Sequence, residues 1–370
     1  MRIGFDAKRA FANKSGLGNY SRDIIMSLAD FYPENEYFLF SPYTETNLLD
    51  KRYFKSKTIS PKAKTKIGKS YWRSVSMGKE IDNMNLDVFH GLSNELPLNI
   101  KKANTKKVVT IHDLIFLKYP HLYNFIDKHI YKEKFEKACI NADKIIAVST
   151  QTKEDIIRYF GIPDKKIDVI YQSCNKIFSS KHHDDYKDKV RKKYSLPERF
   201  VLTVGTIERR KNVLNVIKAL FYYDIDINYV VVGRKTSYFK EIEAFLRKHD
   251  LHSRLHVLDN VENNDLPAIY QMSEIFVYPS LYEGFGIPIL EAFNSEVPVI
   301  TSDVGATAEI GGNASLLIDP LNSKSIGEAI KSLLSDNGLK LQLVRDGLER
   351  SKLFDREVIC NNIMKFYKTL

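Results

Sequence analysis

The sequence predicts an α/β protein made of two doubly wound parallel sheets facing each other across a cleft. Three observations predict it. The chain has 370 residues, more than one hydrophobic core usually organises, so two domains are expected. Short continuous runs of Val, Ile, Leu and Phe recur along its length, as strands buried on both faces require. Amphipathic stretches separate these runs, and strand–helix alternation builds parallel sheets. The pattern occurs twice, on either side of a polar segment without a strand.

In the first half the strands read as "RIGF", "EYFLF", "LDVFHG", "KVVTIHD", "KIIAVS" and "IDVIY". Between the first two, "NYSRDIIMSLADFY" places Ile24, Ile25, Leu28 and Phe31 on one helical face. "TQTKEDIIRYFG" reads as a helix with Ser149 or Thr150 as its N-cap and Gly161 as its stop. The polar segment "CNKIFSSKHHDDYKDKVRKKYSLPERF" then holds a linker near 174–182 and a leading helix. In the second half the strands read as "FVLTVG", "NYVVVG", "RLHVLD", "IFVYPS", "PVITS" and "SLLID". The tail "DREVICNNIMKFYKTL" reads as a helix that packs back on a domain. The expected division is 1–178, 179–352 and a C-terminal helix 353–370 returning to the N-terminal domain. Ligands of such sheets bind beyond the C-terminal ends of the strands.

Composition sets further limits. Apolar residues make up 44% and charged residues 28%, the balance of a soluble globular protein. No apolar run is long enough to span a bilayer, and "MRIGFDAKRAF" lacks the apolar core of a signal peptide. Cys139, Cys174 and Cys360 are scattered and without metal-ligand spacing, which fits free thiols in a reducing cytoplasm. The net charge of +10 is uneven: ten Lys or Arg and no Asp or Glu lie between Lys51 and Lys79. Tyr53, Phe54, Tyr71 and Trp72 lie among them. The stretch reads either as a solvated basic loop or as a surface for anionic lipid or a phosphate-bearing acceptor. The second reading puts the protein at the periphery of the inner face of the plasma membrane. No helix-turn-helix, zinc or RNP pattern supports nucleic acid as the partner.

Four motifs carry candidate chemistry. "KSGLGNYSR" puts Gly16 and Gly18 between the first strand and the first helix; it lacks the third glycine of a dinucleotide fingerprint and reads equally as a plain turn. "VVTIHDLIF" puts His112 and Asp113 at the end of a buried strand. There His112 is either a satisfied core histidine or a donor to a sugar hydroxyl. In "VLTVGTIERRKNV", Arg209, Arg210 and Lys211 follow a strand and precede a helix starting near Asn212; they read either as an ordinary exposed basic loop or as an anion site at a helix N-terminus. In "PSLYEGFGIPILEAF", Glu283 lies beyond a buried strand, Gly284 and Gly286 open a helix, and Pro288 and Glu291 fall near its first turn. Acids in a first turn also serve the helix dipole. That reading covers Glu291 but leaves Glu283 and both glycines unexplained.

"EGFGIPILE" resembles the Glu-x7-Glu motif of the family-4 retaining glycosyltransferases of GT-B fold, and "VGTIERRKN" resembles their donor-phosphate loop. "SGLGNYSR", "IHDLIF", "AVSTQTKEDI" and "TSDVGATAEIGGNASLLIDP" extend the resemblance over nearly the whole chain. The resemblance implies two Rossmann-like domains, with the nucleoside diphosphate sugar donor held by the second. It implies that Glu283 binds hydroxyls of the transferred sugar and Glu291 the ribose. Gly284, Phe285 and Gly286 would hold sugar and diphosphate through their backbone, while Arg210 and Lys211 neutralise the diphosphate. His112 would touch the sugar, with Gly16 and Gly18 near the diphosphate and the acceptor. The implied acceptor is a glycan or a lipid-linked glycan, in surface polysaccharide biosynthesis. Similarity to polysaccharide mannosyltransferases suggests a GDP-linked mannose donor.

Two departures stand out. Many members carry Arg directly after the first glycine of the second domain, where Thr206 follows Gly205 here, and many carry Asn-Gly where "YQSCN" stands. No cofactor and no metal are expected. "DID" at Asp224–Asp226 reads as a turn before a strand rather than a metal-binding Asp-x-Asp, and "HHDD" at His182–Asp185 reads as solvated linker. Two other functions fit the same fold. An epimerase would act on a sugar nucleotide alone and yield only a C2 epimer of it. A non-catalytic binding protein would hold donor without nucleotide release at any acceptor concentration.

Overall fold

The computed structural model describes residues 1–44, 46–50, 53, 57–99 and 105–370. They form two compact units, Met1–Ser173 with Arg356–Leu370, and Cys174–Asp355. The boundary expected at 178 falls at 173 because the following turn belongs to the second unit. Phe178 is buried against Tyr270, with ring centroids 5.6 Å apart, and Ser179 Oγ donates to Asn294 Oδ1 at 3.1 Å. The boundary expected at 352 falls at 355, since buried Phe354 packs on Phe285 at 6.0 Å.

The first unit holds a parallel sheet of β1 (Arg2–Asp6), β2 (Glu36–Phe40), β3 (Thr58–Ile59), β4 (Val88–Gly91), β5 (Lys106–Ile111), β6 (Lys144–Ala147) and β7 (Ile167–Val169). The order is β3-β2-β1-β4-β5-β6-β7. The chain therefore winds outward from β1 in one direction and from β4 in the other. β1 is in register with both neighbours, Phe5 pairing with Leu39 and with His90. β3 is the strand that the sequence pattern does not reveal; two residues are too few to show a period.

The helix Gly16–Phe31 buries Ile24, Ile25 and Leu28 against Ile3, Phe5 and Val88. Phe31, expected on that face, is instead 37% exposed, because it ends the helix where the chain turns towards β2. A short helix Lys8–Ala12 precedes it, and Gly16–Gly18 form its own first turn rather than a separate loop. The helix Thr150–Phe160 is delimited as the sequence predicts. Ser149 Oγ accepts from Thr152 N at 3.1 Å, and Gly161 stops the helix at φ +63°.

The C-terminal helix Arg356–Lys368 belongs to this first core. Ile359, Cys360, Ile363, Met364, Phe366 and Tyr367 are buried in it, at the spacing of one helical face. Arg356 Nε donates to Asp23 Oδ1 at 2.8 Å, Tyr32 Oη to Asn361 Oδ1 at 2.6 Å, and Tyr367 Oη lies 2.6 Å from His90 Nδ1.

The second unit holds a parallel sheet of β8 (Phe200–Val204), β9 (Asn228–Val232), β10 (Leu255–Leu258), β11 (Ile275–Tyr278), β12 (Val299–Ser302) and β13 (Ser315–Ile318). Its order is β10-β9-β8-β11-β12-β13, the same winding with its reversal between β8 and β11. The expected leading helix spans Asp184–Tyr194, so Asp184 and Asp185 of "HHDD" form a helical first turn rather than linker. Asp224 of "DID" sits in a turn at φ +48°, and Asp226 faces Arg254 at 3.7 Å. Among the described residues, no helix is long and apolar enough to cross a membrane.

Candidate functional site

The reversal point of the second sheet is where such a fold presents ligand groups, beyond the C-terminal ends of β8 and β11. After β8 the chain passes Gly205 and makes a single 3₁₀ turn over Arg209–Lys211. Asn212, at φ +61°, ends that turn and leads into the helix Val213–Tyr222. The Asn212 amide donates to Pro279 O at 3.1 Å and Pro320 O at 2.6 Å, and Leu281 N donates to Arg210 O at 2.8 Å. These bonds staple the basic turn to the segment that follows β11.

That staple brings Glu283, Arg210 and Lys211 together. Arg210 Nη1 is 2.6 Å and Lys211 Nζ 2.7 Å from the same oxygen, Glu283 Oε1. All three side chains are about one-tenth exposed. Arg210 also donates to Tyr282 O at 2.6 Å and to Glu208 Oε1 at 2.5 Å. Lys211 donates to the Tyr278 hydroxyl and lies 4.6 Å from that ring's centroid. Burial alone would raise the Glu283 carboxyl, but Arg210 and Lys211 outweigh it and hold the group at about 2. Burial pushes Lys211 down, with Arg210 adding to the effect and Glu283 opposing it. Two cations therefore meet on one oxygen of a buried carboxylate, with Glu208 as a second, more exposed partner of Arg210; a cluster of such donors suits an oxyanion that would replace a carboxylate. Arg209, the third base of the motif, points elsewhere and pairs with Glu241.

Gly286 caps the next helix, Ile287–Asn294, at φ +119°, a conformation that L side chains rarely adopt. An added Cβ would also meet Ile289 Cδ1 at 3.3 Å. Pro288 sits in the first turn, as expected. Glu291 does not: it is the fifth residue, one turn further along, and the first turn holds no acid. Its distance from the helix start removes the dipole explanation. Half-buried, it accepts a hydrogen bond from the Tyr270 hydroxyl at 2.8 Å, and burial pushes its carboxyl up to about 7 against the effect of that bond.

Tyr278, Glu208 and Tyr270 are partners that motif reading missed. Tyr278 had a signal, a hydroxyl closing the apolar strand "IFVY", and Glu208 stood beside the basic pair. Tyr270 comes from the helix Leu266–Met272 and had none.

The remaining candidates belong to the first unit. His112 follows β5 and is 7% exposed. Its Nε2 donates to Leu92 O at 2.9 Å, its backbone N–H donates to Asn94 Oδ1 at 2.8 Å, and Tyr20 packs edge-on at 4.6 Å. Burial lowers its pKa to about 4. A neutral ring with Nε2–H engaged keeps Nδ1 as an acceptor, which corrects the expectation that His112 donates to a sugar hydroxyl. Gly16 is exposed with open space around it. Gly18 is buried, and a Cβ there would lie 1.9 Å from Asn13 O. Close packing of the helix start on the preceding turn accounts for Gly18 without a ligand.

The basic stretch is not one solvated loop. Lys51, Arg52 and Lys55 lie outside the described residues. Lys57 pairs with Glu36, and Arg73 is buried between Asp6 and Glu95. Lys62, Lys64 and Lys66 are exposed, and the helix Lys66–Tyr71 displays Ile67 at 84% and Tyr71 at 61% exposure. Cys139 and Cys360 are buried thiols and Cys174 is half-buried.

Residues 15–175 match the family model "Glycosyltransferase Family 4", and residues 186–350 match "Glycosyl transferases group 1". The chain is 29% identical over 289 residues to O-antigen chain mannosyltransferase B of Escherichia coli, covering 76% of this chain and 74% of that protein. It is 30% identical over 227 residues to O-antigen chain mannosyltransferase RfbU of Salmonella typhimurium, covering 61% of this chain and 60% of that protein. Among solved structures, Anabaena Alr3699/HepE in complex with UDP superposes with a TM-score of 0.77 at 17% identity, over all of both chains. Sucrose-phosphate synthase of Thermosynechococcus elongatus gives 0.76 at 21% identity, over 100% of this chain and 98% of that one. Likeness at such identities is likeness of fold.

Proposed function

We propose that this chain, which belongs to the glycosyltransferases of GT-B fold with a family-4 domain followed by a group 1 domain, is a retaining hexosyltransferase. It takes a hexose from a nucleoside diphosphate sugar and gives it to a glycan or lipid-linked acceptor of a surface polysaccharide. The observation that carries the reading is the buried triad of Arg210, Lys211 and Glu283 beside the Gly286 helix start. Two buried cations suit a diphosphate, whose departure they would stabilise as charge develops on it. Glu283, tied to both cations through one oxygen, still has a second oxygen able to accept from sugar hydroxyls. Glu291 would accept from the ribose. His112 Nδ1 would accept from the transferred sugar or the acceptor. The O-antigen mannosyltransferase relatives favour mannose, and hence GDP-mannose, as the donor.

The test is a thermal-shift screen of GDP-, UDP- and ADP-sugars, followed by NMR of the product's anomeric configuration. GDP-mannose should raise the melting temperature most, since a ligand of the native state stabilises it by mass action. Lys211→Ala should weaken GDP binding at least tenfold by calorimetry, and Glu283→Gln should lose transfer while still binding GDP. An inverted product, or equal turnover by a folded Glu283→Gln protein, would overturn the reading.

The membrane reading of the basic stretch stands on exposed Lys62, Lys64 and Lys66 beside Ile67 and Tyr71, an apolar pair one helical turn apart. Replacing the three lysines by Gln and Ile67 by Ser should cut binding to phosphatidylglycerol vesicles by an order of magnitude or more, at about 1 kcal/mol per cation. Equal co-sedimentation of variant and parent at low salt would leave only a solvated surface.

A further inference from the structure

His112 is held by more than its own hydrogen bonds. The segment after β4 takes both its Nε2–H, through Leu92 O, and its backbone N–H, through Asn94 Oδ1. Asn94 is buried at φ +62°, a left-handed conformation that Asn adopts more readily than most residues. Its own N–H donates at 2.9 Å to the carbonyl of Thr110, two residues before His112. Thr152 Oγ1 donates to His112 O at 3.4 Å, and the ring of Tyr20 packs on the imidazole with the two planes at 87°. Burial keeps that imidazole neutral, the Leu92 bond opposing it and the charge of Arg9 adding to it.

Tyr20 in turn begins a chain of buried polar groups that ends on the C-terminal helix. Its Oη lies 3.0 Å from Thr110 Oγ1, which lies 2.8 Å from His90 Nε2, while His90 Nδ1 lies 2.6 Å from Tyr367 Oη. All four side chains are buried. Burial pushes His90 down to about 3, with His112 a lesser cause, so the ring is neutral. One of its nitrogens donates and the other accepts. The direction of the bond at Tyr367 therefore dictates the direction of the bond at Thr110. We propose that Tyr20, Thr110, His90 and Tyr367 are positioning residues for His112, through which the C-terminal helix sets the orientation of the imidazole that meets the sugar; this rests on the glycosyltransferase reading above.

Packing alone does not account for this chain. Apolar side chains would fill the same space without the cost of burying four polar groups. Each bond joins a different pair of elements: the helix Gly16–Phe31 to β5, β5 to β4, and β4 to the helix Arg356–Lys368. Thr110 is the branch point. Its hydroxyl meets Tyr20 and His90, and its carbonyl holds Asn94. Displacing Thr110 therefore disturbs two supports of His112 together, the ring of Tyr20 and the side chain of Asn94. In a dry interior such linked bonds reinforce one another and fix a single arrangement.

The experiment uses the full chain labelled with ¹⁵N-histidine. Long-range ¹H–¹⁵N spectra near neutral pH read which ring nitrogen carries the proton, and His112→Gln assigns the His112 signals. The parent should show His112 protonated at Nε2 alone. Tyr367→Phe removes the hydroxyl at the far end, and Thr110→Val removes the branch point at nearly constant shape. Both should move the His112 ring nitrogens towards the shifts of a mixed tautomer, and Thr110→Ser, which keeps the hydroxyl, should restore the parent spectrum. With GDP-mannose as the probe, GDP release should fall at least fivefold in kcat in Tyr367→Phe and Thr110→Val. KM should change less than twofold, and Thr110→Ser should stay within twofold of the parent in both. Unchanged His112 signals in folded Tyr367→Phe, unchanged kcat where those signals move, or a loss that Thr110→Ser shares overturns the proposal. If Thr110→Val does not fold, Tyr367→Phe decides. A parent chain that releases no GDP from GDP-mannose is the failure of the donor reading alone, and the His112 spectra then decide the positioning.

Discussion

Glu283 and Glu291 are eight positions apart in one segment, and their surroundings drive them in opposite directions. Glu283, held at about 2 by Arg210 and Lys211, contributes stability above its unfolded value near 4.3 and loses it as pH falls towards 2. Glu291, raised to about 7, works the other way: its contribution is complete below the unfolded value and is lost as pH rises through 7. A ribose donating two hydroxyls would favour the ionised form of Glu291. Nucleotide binding should therefore release protons near pH 6–7 and weaken below that range. Calorimetry in two buffers of different ionisation heat reads the release directly, and Glu291→Gln should abolish it. Both acids are legible in the sequence, but their opposite shifts are not, since these depend on burial beside Tyr270 and on which side chains share a buried oxygen.

The helix that carries Glu291 depends on one backbone position. Gly286 at φ +119° sets the angle at which the helix Ile287–Asn294 leaves β11. Gly286→Ala adds backbone strain of about 1–3 kcal/mol and a contact with Ile289. It should lower the melting temperature by several degrees and weaken nucleotide binding, both measurable on purified protein. Twelve of the strands are legible because each is a compact apolar run, and the Ser149 and Gly161 stops are legible because their side-chain chemistry is local. The short helix Lys8–Ala12 and the two-residue β3 are not, because neither is long enough for a period to repeat. Trp72 and Arg73 looked like part of a wet basic run. Arg73 is held by Asp6 and Glu95, and Trp72 packs with Phe38, Phe40 and Phe89, partners that lie well away in sequence.

At the scale of the molecule, the first core is built from two separated lengths of chain. Six side chains of the helix Arg356–Lys368 are buried in it, among them Ile363 and Tyr367 at no more than 2% exposure. At about 1.5–3 kcal/mol for each large side chain, this burial is comparable to the whole stability of a domain. A chain ending at residue 355 should therefore fail to form its first unit, seen as loss of tertiary circular dichroism and rapid proteolysis within 1–173. A helical tail was legible from the spacing of its apolar residues; its attachment to His90 and Asp23 was not. The connectivity has a further consequence in time. Domains usually complete themselves in the order of synthesis, the N-terminal one first. Here the second unit is an uninterrupted segment and needs nothing made after residue 355. The first unit, begun earlier, cannot complete its core until residues 356–370 have been made, after the whole of the second unit.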